Sequence, residues 1–183
     1  MKKALLISLL LFLTTLAVFA YETVIIKFPS DEVWEKAYYN KVGMESILQY
    51  VPRGQSQKNW KRAVIIHAYK ESAYPISVFL ANNIAMMAKQ NPTSPYKYLR
   101  LNDTEGIAGR CTKDYNGIKA QCEIFRATYA HNGIVSIHYI NKDRNDFIEN
   151  YKQWYDIVRK ARFLHSYWRN ERTFNKSEYF ELW

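Results

Sequence analysis

With 183 residues, 48% of them hydrophobic and 23% charged, the chain has the make-up of a folded globular protein, which excludes wholesale disorder. Six Gly and five Pro exclude a collagen-like or low-complexity chain, and two Cys are too few for a disulfide-framework scaffold or a four-cysteine zinc site. A formal charge of +9 and 15 Tyr are its unusual figures.

Lys2 and Lys3, the apolar run from Ala4 to Leu13, and Val18-Phe19-Ala20 have the order of a secretory signal peptide. Residues 1–20 are therefore expected to be cleaved. The competing reading is an N-terminal anchor, since the apolar run could almost span a bilayer. Residues 21–183 are expected to form a single α+β domain with an aromatic, basic C-terminal tail, exported to the periplasm or beyond the cell. Without Lys2 and Lys3 the charge falls to +7. No later apolar stretch approaches the ~18–20 residues of a transmembrane helix.

Glu22 to Phe28 reads as a strand closed by Pro29-Ser30-Asp31. Val33 to Tyr39 reads as a strand that turns at Asn40 to Gly43 and returns as Ser46 to Val51. Ala63 to Tyr69 is a third strand, with His67 half-buried in it. Pro75 suits the first position of a helix whose apolar residues are Ile76, Phe79, Leu80, Ile84 and Met87, stopped by Asn91-Pro92. Tyr96 to Leu101 is again a strand, and two hairpins follow, centred on Asn116-Gly117 and Asn132-Gly133. Opposed positions then sum to 233 in the first and 265 in the second. The last helix is predicted from about Phe147 to Leu164, capped by Asp146, with Phe147, Tyr151, Trp154, Val158 and Ala161 on its buried stripe. The fold class expected is α+β: an antiparallel-rich sheet with two main helices packed on it and one hairpin disulfide.

That disulfide is Cys111–Cys122, because the sum of 233 opposes the two residues across the hairpin. A redox-active pair would need the Cys-x-x-Cys spacing they lack. The four histidines do not converge on a metal site, and no cofactor motif occurs. No catalytic constellation stands out: there is no Gly-x-Ser-x-Gly elbow, and the acidic pairs Asp103/Glu105 and Asp143/Asp146 flank turns and helix starts.

The loop from Pro52 to Arg62 is a candidate binding loop. It holds Arg53, Gln55, Lys58, Asn59, Trp60, Lys61 and Arg62, four cations without an acid. The competing reading is structural, with Trp60 buried at the core edge and Asn59 tying the loop to itself. The stretch Ser46 to Pro52, with Gly54-Gln55 and Asn59-Trp60, resembles a pattern in small exported Gram-negative bacterial proteins of unknown function. The resemblance implies export and no known activity. The element order also resembles the PsbP/Mog1-like arrangement of a sheet flanked by helices in non-enzymatic accessory proteins.

A second candidate surface is basic and aromatic: Arg159, Lys160, Arg162, Arg169 and Arg172 among Phe163, Tyr167, Trp168 and Phe174. It suits anionic lipid, acidic polysaccharide or a host protein surface better than nucleic acid, which an exported protein rarely meets. The expected function is an exported, non-enzymatic binding or accessory protein, such as a secreted effector. The alternatives are a small secreted hydrolase with dispersed catalytic residues and a structural component of an envelope or secretion assembly.

Overall fold

The computed structural model describes residues 21–166 and 179–181. The signal-peptide expectation for residues 1–20 falls outside them, as do Arg169 and Arg172. In chain order the elements are β1 (Tyr21–Ile25), β2 (Trp34–Val42), β3 (Glu45–Pro52), β4 (Arg62–Lys70), α1 (Ile76–Gln90), β5 (Lys97–Leu101), β6 (Glu105–Cys111), β7 (Cys122–Ala130), β8 (Gly133–Asn141), α2 (Arg144–Lys160), β9 (Arg162–Ser166) and β10 (Tyr179–Glu181). The expected α+β class is observed. Seven strands form one antiparallel sheet in the order β2-β3-β4-β8-β7-β6-β5, and β10-β1-β9 form a second.

Two expected turns are placed differently. β2 runs on to Val42, so the chain reverses at Gly43-Met44, where Gly43 holds φ +59. β7 and β8 pair Tyr129 with Ile134 and Phe125 with His138, so opposed positions sum to 263 and the reversal lies at His131-Asn132. Gly133 is the first paired residue of β8, and a Cβ there would collide with the Tyr69 carbonyl oxygen. Its φ of +155° and its close approach to the end of β4 both require glycine. A shift of two positions leaves every side chain on its expected face.

The other hairpin follows the expected register. Asn116 and Gly117 both take positive φ, 45° and 78°, as a type I′ turn requires. Every β6–β7 pair from Glu105↔Thr128 to Cys111↔Cys122 sums to 233. Cys111 and Cys122 are disulfide-bonded, with Cα atoms 3.9 Å apart. Replacing both by Ser is expected to lower stability by roughly 2–3 kcal/mol, the chain-entropy value for so short a loop. Denaturant unfolding of the double variant checks this, and an unchanged midpoint would refute it.

The helices cover opposite faces of the large sheet. On one face, Trp154, Phe147 and Val158 of α2 pack with Ile107, Ile124, Val135, Ile137 and Tyr139. The β1 segment extends that layer through Val24 and Ile26, over Leu48, Tyr50, Val64 and Ile66. On the other face, Ile76, Phe79 and Leu80 of α1 cover Phe125, Ala127 and Ile134. Alternate residues of β7 thus enter different cores, and seven consecutive positions from Cys122 to Thr128 are buried.

Both helix starts and one helix end differ from expectation. Pro75 flanks α1 rather than opening it, and its carbonyl accepts the first helical bond, from Phe79 N at 2.9 Å. α2 is capped by Asp143, whose carboxylate accepts from the amides of Asn145 and Asp146 at 2.9 and 3.1 Å. Asp146 instead accepts from the side-chain amides of Asn141 and Asn150. The helix stops at Lys160 because Ala161 turns to φ −55, ψ 135 and the chain pairs with β1 as β9. Arg162 is therefore a strand residue opposite Ile25.

Candidate functional site

The β3–β4 loop is held by its own polar groups. Gly54 takes φ +84, a conformation open to glycine without strain. The Gln55 amide donates to Pro52 O at 3.0 Å, and its side-chain carbonyl accepts from Lys61 N at 2.6 Å. Ser56 and Asn59 exchange backbone bonds at 3.1 and 3.2 Å, and Ser56 Oγ accepts from Asn59 N at 3.2 Å. Gln55 and Asn59 thus shape the loop. Arg53 pairs with Glu35 at 2.7 Å, and Arg62 with Glu32 at 2.5 Å and Asp146 at 3.8 Å. Two of the loop's cations are neutralised by acids from other elements, while Lys58 and Lys61 pair with none among the described residues.

Trp60 lies between the two readings of the loop. It is half-buried, belongs to neither core cluster, and carries the Lys142 ammonium 3.8 Å above its ring centroid. Such a cation–π contact is worth ~0.5–1 kcal/mol at an exposed site. Lys142 reaches the loop because β4 pairs with β8 through Arg62↔Asn141, and Lys142 N donates to Lys61 O at 2.9 Å. Lys61, Lys142, Asp143, Arg144 and Asn145 surround a surface depression of about 430 Å³. Asp143 spends its carboxylate on the helix cap. Among the described residues Lys61, Lys142 and Arg144 have no carboxylate partner, and burial lowers the Lys142 pKa below its ordinary value.

The second expected surface is weaker than its composition suggests. Arg159 and Lys160 both pair with Asp156, at 3.6 and 3.3 Å. Arg162 is exposed, and with Lys27 and Lys160 it borders an 860 Å³ cavity floored by Ile25, Phe28 and Ile157.

A buried polar cluster lies on the α1 face, outside every expected site. Glu123 is 3% exposed and accepts from Arg110 Nε at 3.0 Å and from the Tyr96 hydroxyl. Arg110 also donates to Asn91 O at 2.9 Å and stacks over the Tyr96 ring at 4.3 Å. Burial alone would raise the Glu123 pKa, but His138, Tyr96 and Arg110 outweigh it and hold the carboxyl below the ordinary range. Ser136 Oγ lies 3.3 Å from His138 Nε2, and His138 Nδ1 lies 3.9 Å from Glu123 Oε2. That Ser–His–Glu order parallels a hydrolase triad. However, Ser136 has no exposed surface and the Phe125 ring stacks on His138 at 4.3 Å, so no substrate reaches the hydroxyl in this conformation. The cluster ties the C-terminal end of α1 to the sheet. On the other face Arg126 does the same for α2, donating to Val158 O and Ala161 O at 3.0 Å each while pairing with Glu105 at 2.9 Å.

Among the described residues no three His, Cys, Asp or Glu side chains are grouped to hold a metal ion, and no helix is long and apolar enough to cross a membrane. The fold is thus a disulfide-linked antiparallel sheet between two helices, with a group of exposed cations where the β3–β4 loop meets α2. A family model matches residues 26–161, and the chain belongs to that family. No curated protein and no solved structure matches the chain.

Proposed function

We propose that the protein is an exported, non-enzymatic binding protein that engages an anionic partner through the junction of the β3–β4 loop and α2. One observation carries this reading: Lys61, Lys142 and Arg144 converge on one depression without a carboxylate partner, beside the half-exposed Trp60. Cations without a carboxylate partner, gathered beside an aromatic ring, suit carboxylate or phosphate groups carried on sugar or lipid. The disulfide supports export, since such bonds persist in oxidising compartments. The helix-end cations contribute less, because Asp156 offsets Arg159 and Lys160.

The test uses residues 21–183 with two probes, alginate for uronic-acid polysaccharide and phosphatidylglycerol vesicles for anionic lipid. Binding to at least one is expected at low salt and should weaken as salt rises. The variant Lys61→Glu/Lys142→Glu/Arg144→Glu should bind roughly tenfold more weakly, since each exposed charge contributes up to about 1 kcal/mol, and its melting temperature should fall by only a few degrees, the effect of losing the Lys142–Trp60 contact. Arg159→Glu/Lys160→Glu should change binding much less. Absence of wild-type binding to both probes, or a triple variant that binds like wild type, would reject the assignment. Cell fractionation tests export separately.

A further inference from the structure

The cavity between α2 and the β1 segment shares no residue with the loop depression, and its chemistry differs. Val24 and Ile26 turn into the main core, so Ile25 and Lys27 turn to the other side of the strand. Gln153, Asp156, Ile157 and Lys160 recur at helical spacing along the facing edge of α2. Phe28 and Pro29 follow where the chain leaves β1. Ile25, Phe28, Pro29 and Ile157 are each half-buried and give the cavity an apolar floor. Lys27, Lys160 and Arg162 stand at its rim.

The rim charges are not equivalent. Asp156 already holds Lys160 and Arg159. Lys27 and Arg162 are exposed and have no carboxylate partner among the described residues. Arg162 is held beside the floor by backbone pairing with Ile25. The volume of about 860 Å³ lies within the ~300–1,000 Å³ range of small-molecule sites. A wholly polar anion would leave the floor against water, and a neutral lipid would leave both cations unpaired. An occupant with one apolar chain and an anionic head satisfies both.

We infer that this cavity binds a fatty-acid anion. The acyl chain lies on Ile25, Phe28, Pro29 and Ile157. The carboxylate meets the planar Arg162 guanidinium, which accepts it in bidentate fashion, with the Lys27 ammonium as a second, point-like partner. The site is independent of the loop depression, so either assignment can fail without the other.

Calorimetric titration of residues 21–183 with octanoate, decanoate and dodecanoate, each below its micelle-forming concentration, tests this. Affinity should rise roughly two- to fourfold per added methylene, as burial of each group requires. Acetate, which has no chain, should give no measurable binding. Dodecyl maltoside, with the same chain and a neutral head, should bind at least tenfold more weakly than dodecanoate. Lys27→Gln/Arg162→Gln should weaken dodecanoate about tenfold and leave dodecyl maltoside unchanged. Gln153→Trp, at an exposed helix position, places an indole across the cavity and should block dodecanoate without shifting the melting temperature. The variant Lys61→Glu/Lys142→Glu/Arg144→Glu should bind dodecanoate like wild type. No dodecanoate binding, an affinity independent of chain length, equal binding of the neutral detergent, or a Gln153→Trp protein that binds normally would each overturn the inference. Loss of dodecanoate binding in the loop variant would overturn it too, by moving the acyl site to the loop.

Discussion

Glu123→Ala is expected to destabilise the protein by about 3–5 kcal/mol, because it strands the Arg110 guanidinium as an uncompensated buried cation. Arg110 and Glu123 have side chains only 4% and 3% exposed and lie 3.0 Å apart. The guanidinium retains Asn91 O and the Tyr96 ring, neither of which carries the opposing charge. Arg110→Met/Glu123→Leu should recover most of the loss, since an apolar pair of similar volume replaces a buried ion pair at little net cost. Denaturant unfolding of the three proteins is the measurement. A single variant within about 1 kcal/mol of wild type would show that water reaches Arg110 and relieves it.

The same cluster gives the wild-type protein an acid-sensitive stability that Glu123→Ala should reduce. Glu123 has a lowered folded-state pKa, so its contribution is present above the unfolded value of about 4.3 and is lost as pH falls through the folded value. His67 acts in the same direction from a higher starting point. Burial, then the neighbouring His138, pushes its pKa down to about 4, against about 6.5 when unfolded. The unfolded chain therefore binds the extra proton first, and stability declines as pH drops from about 6.5 toward 4. Unfolding midpoints across that window should fall in both proteins. Below it, the wild type should fall further while the variant flattens.

The buried ion pair was legible in part. Arg110 and Glu123 sum to 233, so the arithmetic that pairs Cys111 with Cys122 also pairs them. Their burial was not legible, because Tyr96 and the end of α1, which cover them, come from another part of the chain. The His131-Asn132 reversal shows a similar limit. An Asn-Gly dipeptide signals a turn locally, yet Gly133 answers to the Tyr69 carbonyl on a strand more than sixty residues earlier. The end of α2 was obscured because its apolar spacing continues beyond Lys160, and only pairing with β1, at the far end of the chain, turns those residues into a strand. At the candidate site Lys61 was recognisable from its loop. Lys142 and Arg144 were not, since the β4–β8 register alone brings them beside it.

Trp154→Ala is expected to cost about 3–5 kcal/mol, the range for deleting a fully buried large aromatic side chain. Trp154 is 1% exposed and sits where three elements meet. Its ring stacks on Tyr139 of β8 at 3.9 Å and meets Trp34 of β2 edge-on at 5.0 Å. Trp34 in turn stacks on Phe28, just beyond β1, at 5.1 Å. Removing the indole therefore leaves a cavity and breaks the aromatic contacts that hold α2 and the β1 segment to the sheet. The neighbours are too large to close the gap, since Tyr139 and Trp34 are anchored in paired strands. Trp60→Ala is the matched control: the half-buried loop tryptophan leaves no enclosed cavity and should cost about 1 kcal/mol, chiefly its contact with Lys142. Unfolding midpoints of the two variants, measured side by side, decide the matter. Equal losses would place Trp60 in the core, whereas a large loss confined to Trp154→Ala locates the structural tryptophan in α2.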